Sequence, residues 1–220
     1  MPRDTEALVL DFGGVVTRTL FETHDLTEKA LGLSAGTLTW RGPFAPETDP
    51  LWTSMQADEI SERDYWRRRT EEVAALTNRP WTEMADFVKA ARGADPEAVM
   101  RPEALEAIET ARQAGRKLAI LSNELDLFYG ADFRSKLAFL DDFDVIIDAT
   151  YTKILKPDPR AYELCLKELG LPAESCVFVD DQLRNINGAD AVGMRTVHFN
   201  VLDPAASYAD ALRLLGLSPG

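Results

Sequence analysis

The 220-residue chain is poor in the side chains that hold soft metals, with two cysteines, Cys165 and Cys176, and two histidines, His24 and His198. Both cysteines stand in apolar contexts, Leu164-Cys165-Leu166 and Cys176-Val177-Phe178-Val179, so no disulfide framework is expected. Two histidines exclude a His-rich metal site, and any divalent metal would be held by carboxylate oxygens. Basic residues are also scarce. Against 37 Asp plus Glu there are 24 Lys plus Arg, a formal net charge of −13. That balance argues against nucleic acid or an anionic membrane as partner, because both need a basic stripe to neutralise phosphates. No stretch approaches the ~20 apolar residues of a membrane span. Met1-Pro2-Arg3-Asp4-Thr5-Glu6 carries acids where a signal peptide has a basic segment and an apolar run. A soluble, cytoplasmic protein is expected.

What is present is ordinary globular composition, 45% hydrophobic and 28% charged, arranged in short apolar runs that each end in a polar residue. Ala7-Leu8-Val9-Leu10 runs into Asp11, Leu118-Ala119-Ile120-Leu121 into Ser122, Val145-Ile146-Ile147 into Asp148, and Cys176-Val177-Phe178-Val179 into Asp180. Such runs mark strands buried on both faces of a parallel sheet. Between them Ala104, Leu105, Ile108 and Ala111, and then Ala161, Leu164, Cys165 and Leu169, recur at helical spacing. Asp158-Pro159 reads as an N-cap and a first-turn proline. Strand alternating with helix predicts an α/β fold with a doubly wound, Rossmann-like parallel sheet.

The stretch from Thr17 to Ala98 has no comparable strand run and holds all four tryptophans, Trp40, Trp52, Trp66 and Trp81. Helices are expected there over Asp25–Leu31, Ser61–Leu76 and Trp81–Arg92, and Gly42-Pro43-Phe44-Ala45-Pro46 reads as a loop. The simplest division is a core of residues 1–16 and 99–220 with a helical insertion over 17–98. The insertion holds 10 basic and 15 acidic residues, so it shares the acid excess of the core.

In open α/β sheets, ligands bind beyond the carboxyl ends of the strands. Three of the four runs deliver polar chemistry there: Asp11, Ser122 with Asn123, and the pair Asp180-Asp181. A lone Asp after a strand is commonly a turn or cap residue; the convergence of several is what suggests a site. Adjacent carboxylates repel unless solvated or neutralised, so Asp180-Asp181 facing Asp11 suggests Mg²⁺.

In order, Asp11-Phe12-Gly13-Gly14-Val15-Val16, Leu121-Ser122-Asn123, Lys156-Pro157-Asp158-Pro159 and Val179-Asp180-Asp181 resemble the four motifs of the haloacid dehalogenase-like (HAD) hydrolases. The likeness covers Ala7 to Phe199, including a cap-sized insertion after the first motif. The run from Asp180 to Ala189, followed by Gly193-Met194-Arg195-Thr196, looks most like the phosphatase domain at the N-terminus of soluble epoxide hydrolases. The resemblance implies a phosphatase acting on a small phosphorylated metabolite, with Asp11 as nucleophile forming an aspartyl-phosphate. It implies Asp11, the Gly13 carbonyl and Asp181 as Mg²⁺ ligands, with Asp180 and Asn185 acting at the metal site mainly through water. Ser122 and the Asn123 backbone would bind phosphoryl oxygens, and Lys156 would stabilise their charge and hold Asp11. A monomer or homodimer is expected.

Most phosphatases of the family carry a second Asp two residues after the nucleophile, to protonate the leaving group, and here that position is Gly13. Three explanations stand: a leaving group acidic enough to depart unaided, a replacement acid, or a feeble catalyst that serves as a binding or regulatory protein. His24 is one candidate replacement, against a solvated or N-capping role before Asp25. Glu124 is another, against a first-turn helix acid favoured by the dipole. The cap aromatics line a pocket or form a small core. Arg67-Arg68-Arg69, with Asp64, Glu71 and Glu72 beside them, reads as a solvated, salt-bridged helix face. Metal-independent dehalogenation is the rival enzymatic reading, and the acidic pair Asp180-Asp181 weighs against it.

Overall fold

The computed structural model describes residues 5–92, 97–123, 125–130 and 134–218. The chain divides into two compact units, one of Met1–Arg18, Met100–Asp126 and Arg134–Gly220, the other of Thr19–Val99 and Leu127–Phe133. In chain order the elements are β1 (Ala7–Leu10), α1 (His24–Leu31), α2 (Pro50–Gln56), α3 (Glu62–Thr77), α4 (Met84–Arg92), α5 (Pro102–Gln113), β2 (Lys117–Ser122), α6 (Leu125–Tyr129), β3 (Val145–Asp148), α7 (Ala149–Thr152), α8 (Pro159–Leu169), β4 (Cys176–Asp180), α9 (Leu183–Ala191), β5 (Arg195–His198) and α10 (Pro204–Leu214).

The first unit is a five-stranded, wholly parallel sheet in the order β3-β2-β1-β4-β5. Successive side chains of a strand point to opposite faces. Ala7 and Val9 therefore join Ala119, Leu121, Cys176 and Phe178 on one side, beneath Ala161, Tyr162, Cys165 and Leu169 of α8 and Ile186 and Ala189 of α9. Leu8, Leu10, Leu118, Ile120, Val177 and Val179, all buried, point to the other face, where α5 packs on β2 and α10 on β4 and β5. Each fully buried aliphatic side chain contributes about 1.5–3 kcal/mol, which is why these runs carry almost no polar residue until the strand ends. Both cysteines are free and lie within the sheet's apolar layer. Burial pushes both thiols up to about 12, so neither is a reactive thiolate at neutral pH.

Helix α8 starts as its sequence suggests, with the Asp158 carboxylate accepting from the Arg160 N–H and Pro159 in the first turn. The edge strand β5 has no counterpart among the apolar runs, because Arg195-Thr196-Val197-His198 is paired on one side only and three of its four residues are polar.

The second unit is helical. Among the described residues Phe21, Trp40, Trp52, Tyr65 and Trp66 interlock, mostly edge to face at 5.0–6.3 Å between ring centroids. The aromatics are thus chiefly a core rather than a lining. Ser61 and Asp64 form a capping box at the start of α3. One expectation fails here: Arg69 is not on a solvated face. Its guanidinium is buried, stacked over Trp40 and Tyr65 and paired with the fully buried Asp49 and with Glu72. Arg67 does lie on the solvated face, paired with Glu71 and Asp64. Arg69 turns inward because it stands one helical turn after Tyr65, on the apolar stripe.

Candidate active site

The strand order brings the polar strand ends together. β1 is central, flanked by β2 and β4, and its last residue Leu10 is level with Ile120 and Val179. Asp11, whose N–H donates to the Val179 carbonyl at 2.9 Å, therefore emerges level with Leu121, one residue short of Ser122, on one side and with Asp180 on the other. Beyond it the chain turns sharply through Gly13 and Gly14, the latter at φ 81°, a conformation that favours glycine.

Lys156 lies at the centre. Its ammonium donates to Asp11 Oδ1 at 2.7 Å and to Asp180 Oδ2 at 2.6 Å, and the residue is 4% exposed. Burial by itself would lower its pKa, but the carboxylates of Asp11 and Asp180 raise it further than burial lowers it, so it remains a cation. The Asn123 side chain clamps the Lys156 backbone, its Oδ1 accepting from the Lys156 N–H at 2.7 Å and its Nδ2 donating to the Lys156 carbonyl at 3.1 Å. This side-chain role is additional to the backbone role the motif suggests for Asn123, and the sequence carries no sign of it.

Asp180 is fully buried and completely engaged. Besides Lys156 it accepts from the Gln182 N–H at 2.8 Å and from Asn185 Nδ2 at 3.1 Å. Asn185 is brought close by α9, where a Cβ added at Gly188 would lie 2.8 Å from the Tyr162 hydroxyl and 2.9 Å from Pro157 Cβ. The Tyr162 hydroxyl donates to the Asn185 carbonyl at 2.7 Å, so glycine at 188 permits the approach that Tyr162 then secures. The buried Asn185 Oδ1 has no hydrogen-bond partner among the described residues. One carboxylate oxygen from each of Asp11, Asp180 and Asp181 lies within 4.8 Å of the others.

Ser122 is buried at the end of β2, in register with Asp148. Asp148, which the sequence reading passed over, is also buried. It accepts from the Asp126 N–H, the Thr150 N–H and Arg134 Nη2 at 2.7–2.9 Å, and so fixes the segment that follows Ser122 and Asn123. Glu124 lies outside the described residues. His24 belongs to the helical unit, 4% exposed against Trp40 at 4.4 Å between centroids, with its Nδ1 bonded to the Arg41 guanidinium. It is neither solvated nor an N-cap; burial, then the charge of Arg41, lowers its pKa to about 4.

Residues 5–193 match the family model of haloacid dehalogenase-like hydrolases. The chain belongs to that family. As a HAD-like hydrolase it is similar to (S)-2-haloacid dehalogenase 1 of Pseudomonas sp. (strain CBS-3), 31% identical over 180 residues, 77% of this chain and 78% of the relative. It is also similar to Phosphatase MT3486 of Mycobacterium tuberculosis (strain CDC 1551 / Oshkosh), 36% identical over 94 residues, 43% of each chain. The first curated relatives it matches are spanned for only 10% and 43% of their own length. The fold of this HAD-like hydrolase is that of a HAD phosphatase from Thermococcus onnurineus, at a TM-score of 0.56, 20% identity, and 98% and 100% coverage of the two chains.

Proposed function

We propose that this HAD-like hydrolase is a Mg²⁺-dependent phosphatase acting on a small phosphorylated metabolite, with Asp11 as nucleophile and the helical unit as cap. The observation that carries the reading is the gathering of the Asp11, Asp180 and Asp181 carboxylates, two of which, Asp11 and Asp180, share the buried Lys156 ammonium. Carboxylate oxygens held within 4.8 Å of one another repel, and a bound divalent cation would offset that repulsion. The donors are hard oxygens of the kind Mg²⁺ takes, and Asp11, Asp181 and the Gly13 carbonyl would hold it, with Asp180 behind them. When bound, Mg²⁺ would offset the repulsion between Asp11 and an anionic phosphoryl group and polarise its oxygens.

The protein's own groups do the rest. A carboxylate oxygen of Asp11 attacks phosphorus in line, the new O–P bond forming as the bond to the leaving oxygen breaks, and water then hydrolyses the aspartyl-phosphate to release phosphate and regenerate Asp11. Lys156 holds Asp11 in place through their ion pair, and with Ser122 and the Asn123 N–H stabilises charge on the phosphoryl oxygens. Asp180 and Asn123 hold Lys156 from two sides. With Gly13 in place of a second Asp, the reading favours substrates whose leaving group departs without a proton, such as anomeric, acyl or enol phosphates.

The 31% identity to a haloacid dehalogenase favours a second reading, in which Asp11 displaces halide from carbon. Attack on an uncharged carbon needs no cation to offset anionic repulsion, so the carboxylate cluster supports the first reading. The two are separated by initial rates on acetyl phosphate, a sugar 1-phosphate, a sugar 6-phosphate and a 2-haloacid, with Mg²⁺ and with chelator. Phosphate release that needs Mg²⁺ and is fastest from acetyl phosphate is expected, and Asp11→Asn should abolish it with an unchanged circular-dichroism spectrum. Halide release indifferent to chelator would establish the second reading. Failure to turn over any of these compounds would point to a binding or regulatory protein.

A further inference from the structure

The loop that follows Asp11 is anchored almost residue by residue. The Phe12 carbonyl accepts from the Thr17 N–H at 3.0 Å, the Gly14 carbonyl from Arg101 Nε at 3.0 Å, the Val15 carbonyl from the Tyr208 hydroxyl at 3.1 Å, and the Val16 carbonyl from the Arg101 N–H at 3.0 Å. The Gly13 carbonyl stands between the first two anchors. Arg101 is 3% exposed, a rare state for arginine unless its charge is used. Its guanidinium lies 5.4 Å over the Phe199 ring, which is edge to face with Tyr208 at 5.2 Å, and the Phe199 N–H donates to the Asp180 carbonyl at 2.9 Å. One buried side chain thus ties the turn after Asp11 to the end of the strand that carries Asp180.

We propose that Arg101, supported by Tyr208, is a positioning residue that aims the Gly13 carbonyl and so sets the affinity of the site for a divalent cation. The proposal deepens the phosphatase reading and rests on it. The physical reason lies in Gly13-Gly14, which has more backbone freedom than any other dipeptide and loses the most entropy when fixed. A carbonyl there stays aimed only if outside donors hold its neighbours, and a guanidinium donor makes a stronger bond than a neutral one. Arg101 is itself fixed. It follows Met100, which bridges Thr17, and precedes Pro102 in the first turn of α5.

The test uses the full chain with Mn²⁺ alone as probe, binding being read from the electron paramagnetic resonance of free Mn²⁺, together with amide hydrogen exchange over residues 13–16. Arg101→Met should weaken Mn²⁺ binding about tenfold and speed exchange in the loop, with Arg101→Lys recovering part of both. Tyr208→Phe, which removes one hydroxyl, should weaken binding by about threefold without unfolding the chain. Ile108→Ala trims a buried apolar side chain of the same α5, one that offers the loop no hydrogen bond, and should bind Mn²⁺ as the wild type does. Wild-type affinity and exchange in both Arg101→Met and Tyr208→Phe would overturn the proposal, as would equal weakening by Ile108→Ala. If the wild type binds no Mn²⁺, the metal reading fails and the aim at a cation fails with it, whereas loop exchange still reports whether Arg101 anchors Gly14.

Discussion

Gly13 and Gly14 are neighbours of identical composition, yet the backbone asks for glycine at only one of them. Gly14 has φ 81°, whereas Gly13 has φ −72° and ψ 125°, extended geometry open to any L-residue. The lack of a carboxylate at 13 is therefore a chemical feature of the site and not a demand of the turn. Restoring it should help where a proton is needed: Gly13→Asp should raise phosphate release from a sugar 6-phosphate by about 10²-fold, within the usual range for general acid catalysis, and barely change acetyl phosphate. Equal effects on the two substrates, measured as kcat/KM, would show that the missing acid is not limiting. His24 offers no charged substitute at neutral pH. Its Nδ1 accepts from Arg41, so the neutral ring carries its proton on Nε2.

Helix α2 shows how an element can depend on a partner remote in sequence. Asp49 caps it, accepting from the Trp52 N–H at 3.0 Å, and Pro50 fills its first turn. The same carboxylate is wholly buried and accepts from the Tyr65 hydroxyl at 2.7 Å and from Arg69. Losing it removes a cap, about 1 kcal/mol, and strips a buried guanidinium of its main partner, about 3–5 kcal/mol. Glu72 still pairs with Arg69, so Asp49→Ala should lower the urea unfolding free energy by about 3 kcal/mol, and Asp49→Asn, which keeps the cap, by less. A loss below about 1 kcal/mol would mean that Arg69 needs only Glu72. The inward turn of Arg69 was illegible in Arg67-Arg68-Arg69 because charge spacing along a helix says nothing of what waits across from it.

At the scale of the molecule, the net charge of −13 disfavours anionic ligands, and on the proposed reading a bound cation together with Lys156 would reverse the field locally. A cation that binds only the folded chain also stabilises it by mass action, about 2.7 kcal/mol at a hundredfold excess over Kd. Mg²⁺ should then raise the melting temperature by about 5–10 °C for a chain of this size, and Asp181→Asn should abolish the shift. An equal shift in that variant would place the cation elsewhere. Among the described residues no helix is long and apolar enough to cross a membrane.

The sequence by itself determined what is local. Apolar runs specified four of the five strands, Asp158-Pro159 and Ser61 marked helix starts, and the motif residues named Asp11, Ser122, Asn123, Lys156, Asp180 and Asp181. Tertiary structure alone decided the partners. It placed β1 between β2 and β4, brought Lys156 to Asp11 across 145 positions, turned Arg69 onto Asp49, assigned Asn123 to the Lys156 backbone and joined Arg101 and Tyr208 to the carbonyls of Gly14 and Val15. The division has one physical reason: hydrophobic periodicity and capping report how each segment meets water, whereas a buried charge or carbonyl is matched by whichever donor the packing of distant segments delivers.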